Sequence, residues 1–252
     1  MIPKLIIFDL DNTLAASKEP ITDEMADLLT RLIPHTSFAV ISGGKLEQLQ
    51  HQVIERMTQV NDFSHIYLLP TSGAAMFAFD CEVCKKIYEE ELSPEEVAHI
   101  EEAIDKAISD TQIIDLSTPS FGERIEFRGA EVTLSALGQE APIAQKVAWD
   151  PDGTKRSILR DAISKLLPEY DVKRGGSTSI DVTRQGINKA YGIRKLSAYA
   201  GIPISEMVYV GDALFPSGND EVVKETGIPT QAVQGPEDTA TFIRAQLLLA
   251  EH

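Results

Sequence analysis

The 252 residues carry 39 acidic against 23 basic side chains, a formal net charge of -16 and a pI near 4.7, with 43% hydrophobic and 25% charged residues. This is the composition of a folded globular chain rather than a disordered one. It argues against nucleic acid and anionic membrane surfaces as partners, because both are bound through clustered Lys and Arg.

Residues 4–8 are an apolar, β-rich run that stops at Asp9, the pattern of a buried parallel strand. A helix over 20–32 follows, with Ile21, Met25, Leu28, Leu29 and Leu32 on one face. A second strand over 37–41 is broken by Ser42-Gly43-Gly44, a helix runs from about 45, and a third strand covers 66–69. The alternation then changes. Residues 74–79 and 83–88 read as a hairpin, and Ser93-Pro94-Glu95-Glu96 is a capping box opening a helix to about 109. A second hairpin spans 123–128 and 131–137, followed by a helix over 154–167 and strands over 170–174 and 178–182. From Lys189 the first pattern returns: a helix to about 200, a strand over 207–210, Gly211-Asp212, and a helix near 219–226. The expected fold is α/β: a Rossmann-like, doubly wound parallel sheet core with an inserted α+β cap domain. The core is drawn from residues 1–81 and 187–252, the insert from 82–186.

The start at Met1-Ile2-Pro3-Lys4 lacks the pattern of a secretory leader, and no apolar run reaches the roughly 20 residues of a membrane span. A cytoplasmic location and no membrane partner are expected. Cys81 and Cys84 form an isolated Cys-Glu-Val-Cys without a second ligand pair, so free thiols are expected rather than a zinc site.

The chemistry-bearing residues stand at strand ends. In Asp9-Leu10-Asp11-Asn12-Thr13, residues two apart on an extended segment point the same way, so two carboxylates share one side. Carboxylates so placed repel unless a cation lies between them or one holds a proton, and both remedies suit phosphoryl transfer. One Asp attacks phosphorus while the other protonates the leaving oxygen. Ser42-Gly43-Gly44 offers a hydroxyl and glycine amides ahead of a helix, an anion cradle. Gly211-Asp212 supplies a third strand-end acid, followed by Gly218-Asn219-Asp220. Singly, each motif has a plainer reading: a capped loop, a strand-to-helix turn, an acidic surface loop, and for Lys189 a solvated lysine.

In sequence order these motifs, Asp-x-Asp-x-Thr, a strand-end Ser, a Lys and Gly-Asp…Gly-Asn-Asp, resemble the four-part signature of the haloacid dehalogenase superfamily, and the insert resembles its C2B cap. The resemblance implies Asp9 as nucleophile, Asp11 as acid and base, and Thr13, Ser42, Gly43 and Lys189 around the phosphoryl group. It implies Mg²⁺ held by Asp9, the Asp11 carbonyl and Asp212, with Asn219 and Asp220 behind them. Within the superfamily the chain is similar to eukaryotic-type phosphomannomutases, on Ile125-Glu126-Phe127-Arg128, Ser179-Ile180-Asp181-Val182, Asn188-Lys189 and Pro236-Glu237-Asp238-Thr239 among other blocks. In that family an arginine like Arg128 grips a distal phosphate, and residues like Ser179 and Asp181 hold sugar hydroxyls. Two further phosphate-gripping arginines of the cap correspond here to Gln139 and Lys146, and a core arginine to Lys18. Lysine keeps the charge but loses the bidentate fork, and glutamine keeps neither. The resemblance therefore implies a Mg²⁺-dependent phosphatase of small sugar phosphates, a hexose phosphate being the expected substrate, with a phosphohexomutase as the competing reading. A homodimer formed through the insert is a further expectation.

Overall fold

The computed structural model describes residues 2–216 and 218–250. In chain order the elements are β1 (Leu5–Asp9), α1 (Asp23–Leu32), β2 (Ser37–Ile41), α2 (Leu46–Gln52), β3 (Ile66–Leu69), β4 (Ala75–Asp80) and β5 (Val83–Glu89). Next come α3 (Pro94–Thr111), β6 (Ile125–Phe127), β7 (Glu131–Ser135), α4 (Ile143–Trp149), α5 (Thr154–Leu166), β8 (Tyr170–Arg174) and β9 (Ser179–Arg184). The chain ends with α6 (Lys189–Ala200), β10 (Met207–Gly211), β11 (Thr230–Ala232) and α7 (Pro236–Ala250). It divides into two compact units, Met1–Glu89 with Ile187–His252, and Glu90–Gly186.

The first unit is built on a seven-stranded sheet in the order β11-β10-β1-β2-β3-β4-β5. The five strands from β11 to β3 are parallel, and β4 and β5 add an antiparallel edge. Because alternate side chains leave a strand on opposite faces, β1 feeds two cores. Ile6 and Phe8 join Val40, Val208, α1 and α7 on one face; Leu5 and Ile7 join Ile41, Tyr209 and the α6 residues Ile193 and Leu196 on the other. Asp9 continues the second series, and so points to the face on which α6 lies. The strand order reverses between β1 and β10, and the crevice outside the carboxyl ends at such a point is where open α/β sheets bind ligands.

The second unit is a four-stranded antiparallel sheet, β6-β7-β9-β8. Val132, Leu134, Ile180 and Val182 face α3 and α5, where Ile100, Ile104, Ile108, Leu159 and Ile163 complete the core. The alternate residues, Glu131, Thr133 and Ser135 of β7 with Ser179 and Asp181 of β9, make the opposite face polar. The capping box at the start of α3 forms: Glu96 N donates to Ser93 Oγ, and Ser93 N to Glu96 Oε2.

The structure departs from the expected elements at several places. The expected boundary at 82 falls in the β4–β5 turn, whereas the two compact units divide after Glu89, because β5 pairs along β4 and so belongs to the large sheet. The helix expected near 219–226 is a 3₁₀ segment, Glu221–Thr226. Helices α4 and α7 and strand β11 had no counterpart in the sequence reading; β11 is exposed throughout and carries no burial pattern. No helix among the described residues is long and apolar enough to cross a membrane.

Candidate active site

The end of β1 and the start of α6 meet over one face of the large sheet. Asn188 caps α6 by accepting from Tyr191 N, and Lys189 is its first residue. One turn on, Gly192 packs against the backbone of Gly73: a Cβ on Gly192 would lie 2.9 Å from Gly73 Cα. That close approach seats the helix start on the sheet. Lys189, only 3% exposed, donates from Nζ to Asp9 Oδ1 at 2.6 Å, Asp220 Oδ1 at 2.6 Å and Tyr209 Oη at 3.3 Å. The Tyr209 hydroxyl donates to the same Asp220 oxygen at 2.6 Å, and Ala213 N donates to Asp220 Oδ2 at 3.2 Å. Gly211 is required beside this network, since a Cβ there would sit 2.4 Å from Asp220 Oδ2.

Thr13, fully buried, joins the first loop to the last: Asp212 N donates to Thr13 Oγ1 at 3.1 Å. The loop after β1 is tightly turned, with Asn12 in the left-handed region at φ 58° and Asn12 N donating to Ala15 O. Asp11 is half-buried, and its Oδ1 accepts from Lys18 N at 2.6 Å. Ser42 is buried at the end of β2, its Oγ accepting from Gly44 N at 3.2 Å, beside Gly43. Asn219 is exposed. Carboxylate oxygens of Asp9, Asp212 and Asp220 lie within 4.8 Å of one another, a group that could hold a metal ion.

Burial sets the electrostatics. It pushes the Asp9 carboxyl up to about 6, with Lys189 pulling the other way and the neighbouring acids adding to the rise. Burial, with Asp220 beside it, also raises Asp212. Burial acts to lower the Lys189 ammonium, yet Asp9 and Asp220 outweigh it and hold its pKa above the usual lysine range. The Tyr209 hydroxyl is raised well above its ordinary value, first by burial and then by Asp9 and Asp220.

A second polar cluster lies on the polar face of the smaller sheet. Arg128 donates from Nε to Glu126 Oε2 at 2.9 Å, from one terminal nitrogen to Glu131 Oε1 at 3.4 Å and from the other to Gln139 Oε1 at 3.5 Å. Lys146 Nζ donates to the Gln139 carbonyl at 2.7 Å. Thr133 Oγ1 lies 2.9 Å from Glu131 Oε1 and 3.0 Å from Asp181 Oδ1. Ser179 follows the same face of β9, paired with Ser135 of β7. Burial, with Asp181 nearby, pushes Glu131 up to about 8, and burial also raises Asp181.

Thus Asp9, Thr13, Lys189, Asp212 and Asp220 are drawn into one network, and Arg128, Gln139, Lys146 and Asp181 into another. Tyr209, Glu131 and Thr133 were not singled out from the sequence. Tyr209 stands in the unbroken apolar run Met-Val-Tyr-Val-Gly and carried no signal; Glu131 and Thr133 alternate with Val132 and Leu134, a spacing that could have placed them on one face.

A doubly wound sheet with an acid at its central strand end and an α+β insert is the architecture of the haloacid dehalogenase-type enzymes. A haloacid dehalogenase-like hydrolase from Bacteroides thetaiotaomicron shares the fold with a TM-score of 0.63 at 18% identity, over 96% of this chain and 99% of that one. A Plasmodium falciparum IMP-nucleotidase does so at 0.73 and 16%, over 99% of this chain and 69% of that one. By sequence, the family described as eukaryotic phosphomannomutase matches residues 25–249, and the chain belongs to it. The phosphomannomutase of Spinacia oleracea is 25% identical, covering 93% of this chain and 92% of its own; that of Drosophila melanogaster is 26% identical over 95% and 93%. The chain is a haloacid dehalogenase-type phosphohydrolase or phosphomutase.

Proposed function

We propose that the chain is a Mg²⁺-dependent phosphatase of small sugar phosphates, reacting through an aspartyl-phosphate on Asp9. The observation that carries the reading is the buried network in which Lys189 holds Asp9 Oδ1 at 2.6 Å beside Asp212 and Asp220. Three carboxylates face one ammonium there, leaving an excess of negative charge made of hard oxygen donors, which fits a small divalent cation. Asp9 and Asp212 would hold it, together with the Asp11 carbonyl. Both Asp220 oxygens already accept hydrogen bonds, so Asp220 positions Lys189 rather than binding the ion. Bound there, the cation neutralises phosphoryl oxygens and lowers the repulsion between them and the attacking carboxylate.

With Oδ1 of Asp9 fixed by Lys189, its other oxygen attacks phosphorus in line with the departing sugar oxygen. Asp11, oriented by the Lys18 amide, gives that oxygen its proton. Asp11 then takes a proton from water, whose oxygen attacks the aspartyl-phosphate and releases phosphate, regenerating Asp9. Thr13, Ser42 and the Gly43 amide supply donors for the phosphoryl oxygens, and Lys189 offsets their charge.

The choice of hydrolysis rests on the insert. A mutase must grip one phosphate while the other reacts. Here position 139 is glutamine, and the Lys146 ammonium donates to a backbone carbonyl. Membership of the phosphomannomutase family favours the second reading, interconversion of hexose 1- and 6-phosphates. A product assay decides. Mannose 1-phosphate and glucose 1-phosphate are supplied with Mg²⁺ or EDTA, with and without a hexose bisphosphate, and both free phosphate and 6-phosphate isomer are followed. Metal-dependent phosphate release as the main product supports the phosphatase; isomer as the main product establishes the mutase. Full activity in EDTA removes the metal from the mechanism.

A further inference from the structure

The strap that leads from the end of β1 towards α1 has no apolar hold of its own. Ala16, Ser17, Lys18 and Glu19 are exposed and Pro20 is half-buried. Its shape is nevertheless closely set. Lys18 lies in the left-handed region at φ 64°, a conformation disfavoured for any residue with a Cβ, and its amide meets Asp11 Oδ1 at 2.6 Å. Glu19 N closes the turn on Ala16 O at 2.9 Å. Backbone held in this way persists only where the surroundings impose it. Among the described residues, two hydrogen bonds tie residues 16–20 to the rest of the chain. One is the Lys18 amide on Asp11; the other comes from Gln52 Nε2, which donates to the Glu19 carbonyl at 2.7 Å.

Gln52 is the last residue of α2 and is 1% exposed. It clamps the strap on both sides of Pro20: its side chain holds Glu19, and its carbonyl accepts from the amide of buried Ile21 at 2.9 Å. The acceptor end of the Gln52 amide is unmet, since Oε1 is buried without a hydrogen-bond partner. A buried orphan of this kind destabilises the fold. An apolar side chain of similar length would fill the space without it, and the one thing such a side chain would lack is the donor to Glu19. That donor acts on the strap and, through the Lys18 amide, on Asp11.

We propose that Gln52 is a positioning residue for proton transfer: by holding the Glu19 carbonyl it keeps the Lys18 amide on Asp11 and so orients the acid of the reaction. The proposal rests on the reading of Asp11 as the acid of an aspartyl-phosphate mechanism. In that step an Asp9 oxygen forms a bond to phosphorus, and the bond from phosphorus to the sugar oxygen breaks with its electron pair going to that oxygen. The Asp11 proton passes to it and leaves a sugar hydroxyl. With Oδ1 engaged by the amide, the other Asp11 oxygen carries the proton, and the amide answers the charge left on the carboxylate after transfer.

The test compares two leaving groups. A sugar oxygen needs a proton as it departs, whereas nitrophenolate leaves well without one. With Mg²⁺ present, kcat/KM is measured on para-nitrophenyl phosphate and on whichever of mannose 1-phosphate and glucose 1-phosphate turns over faster, free phosphate and isomer being counted together. Gln52→Met should lower kcat/KM about 10-fold for the sugar phosphate, the size of one lost charge-assisted contact, and less than about threefold for para-nitrophenyl phosphate. Any other pattern overturns the proposal: equal losses, no loss, or a larger loss on para-nitrophenyl phosphate. A purely structural role for Gln52 lowers both substrates alike. Asp11→Asn is the control and should discriminate in the same direction, more strongly. Equal losses in Asp11→Asn would place the acid elsewhere and remove the reading beneath the proposal. Discrimination by Asp11→Asn but not by Gln52→Met overturns the clamp and leaves that reading standing. If Gln52→Met does not fold by circular dichroism, Gln52→Leu decides by the same outcomes.

Discussion

Lys189 and Arg128 are both cations set among carboxylates, and the two surroundings show how differently one set of ingredients can be used. Lys189 sits where strand ends and a helix start converge, with Asp9 at the end of β1 and Asp220 in the loop that follows β10. The acids there crowd to within 4.8 Å of each other, more negative charge than one ammonium answers. Arg128 lies on the flat polar face of an antiparallel sheet, where Glu126 and Glu131 hold it on two sides and Gln139 accepts a third hydrogen bond. The first arrangement concentrates unbalanced negative charge, the surroundings that suit a bound cation. The second answers its own charge and is left with hydrogen-bonding capacity.

The largest expected effect breaks the first region chemically. Asp9→Asn should leave phosphate release below about one per cent of wild type with an unchanged circular dichroism spectrum, because an amide does not attack phosphorus. Higher residual turnover would place the nucleophile elsewhere.

Next in size is the stability of the same region. Lys189→Met removes the ammonium that pairs with buried Asp9 and Asp220 and should cost about 3–5 kcal/mol in urea unfolding of the metal-free chain. A loss below about 1 kcal/mol would mean that the acids are answered without it.

The second region is probed through pH. Burial and Asp181 hold the Glu131 carboxyl up to about 8, above its ordinary value of 4.5, with Arg128 and Thr133 opposing the rise. The folded state keeps a proton that the unfolded chain gives up, so the stabilisation is complete below about pH 4.5 and is lost as pH rises through about 8. Glu131→Gln should escape that loss, gaining about 3–4 kcal/mol on wild type between pH 5 and pH 8. Parallel stability profiles for the two chains would show that Glu131 does not titrate in this window.

The smallest effect sharpens the comparison. Tyr209→Phe deletes one of the donors to Asp220 while Lys189 and the Ala213 amide remain, and should cost about 1 kcal/mol. A cost matching that of Lys189→Met would make the tyrosine, not the lysine, the keystone of the network.

What could be read from the chain beforehand follows the same division. The strands around Asp9 were legible because parallel strands buried on both faces are written as unbroken apolar runs that stop at a polar residue. The insert's hairpin was legible as two short runs on either side of a turn. The membership of β5 in the large sheet was not, since Val83–Glu89 is half-exposed and looks the same whether it ends one sheet or begins another. Lys189 carried nothing by itself, and its burial against Asp9, 180 positions away, appears only when α6 is packed through Gly192 on Gly73.

The sequence by itself determined the α/β class, the order of the chemical motifs and the hairpin of β6 and β7, because each is a local pattern of residue type and spacing. Only the tertiary structure decided that Tyr209 and Lys189 share Asp220, and that Glu131 answers Arg128. Those facts are distances between side chains far apart in sequence or tucked round a turn, and hydrophobic packing fixes such distances after the pattern has already been satisfied.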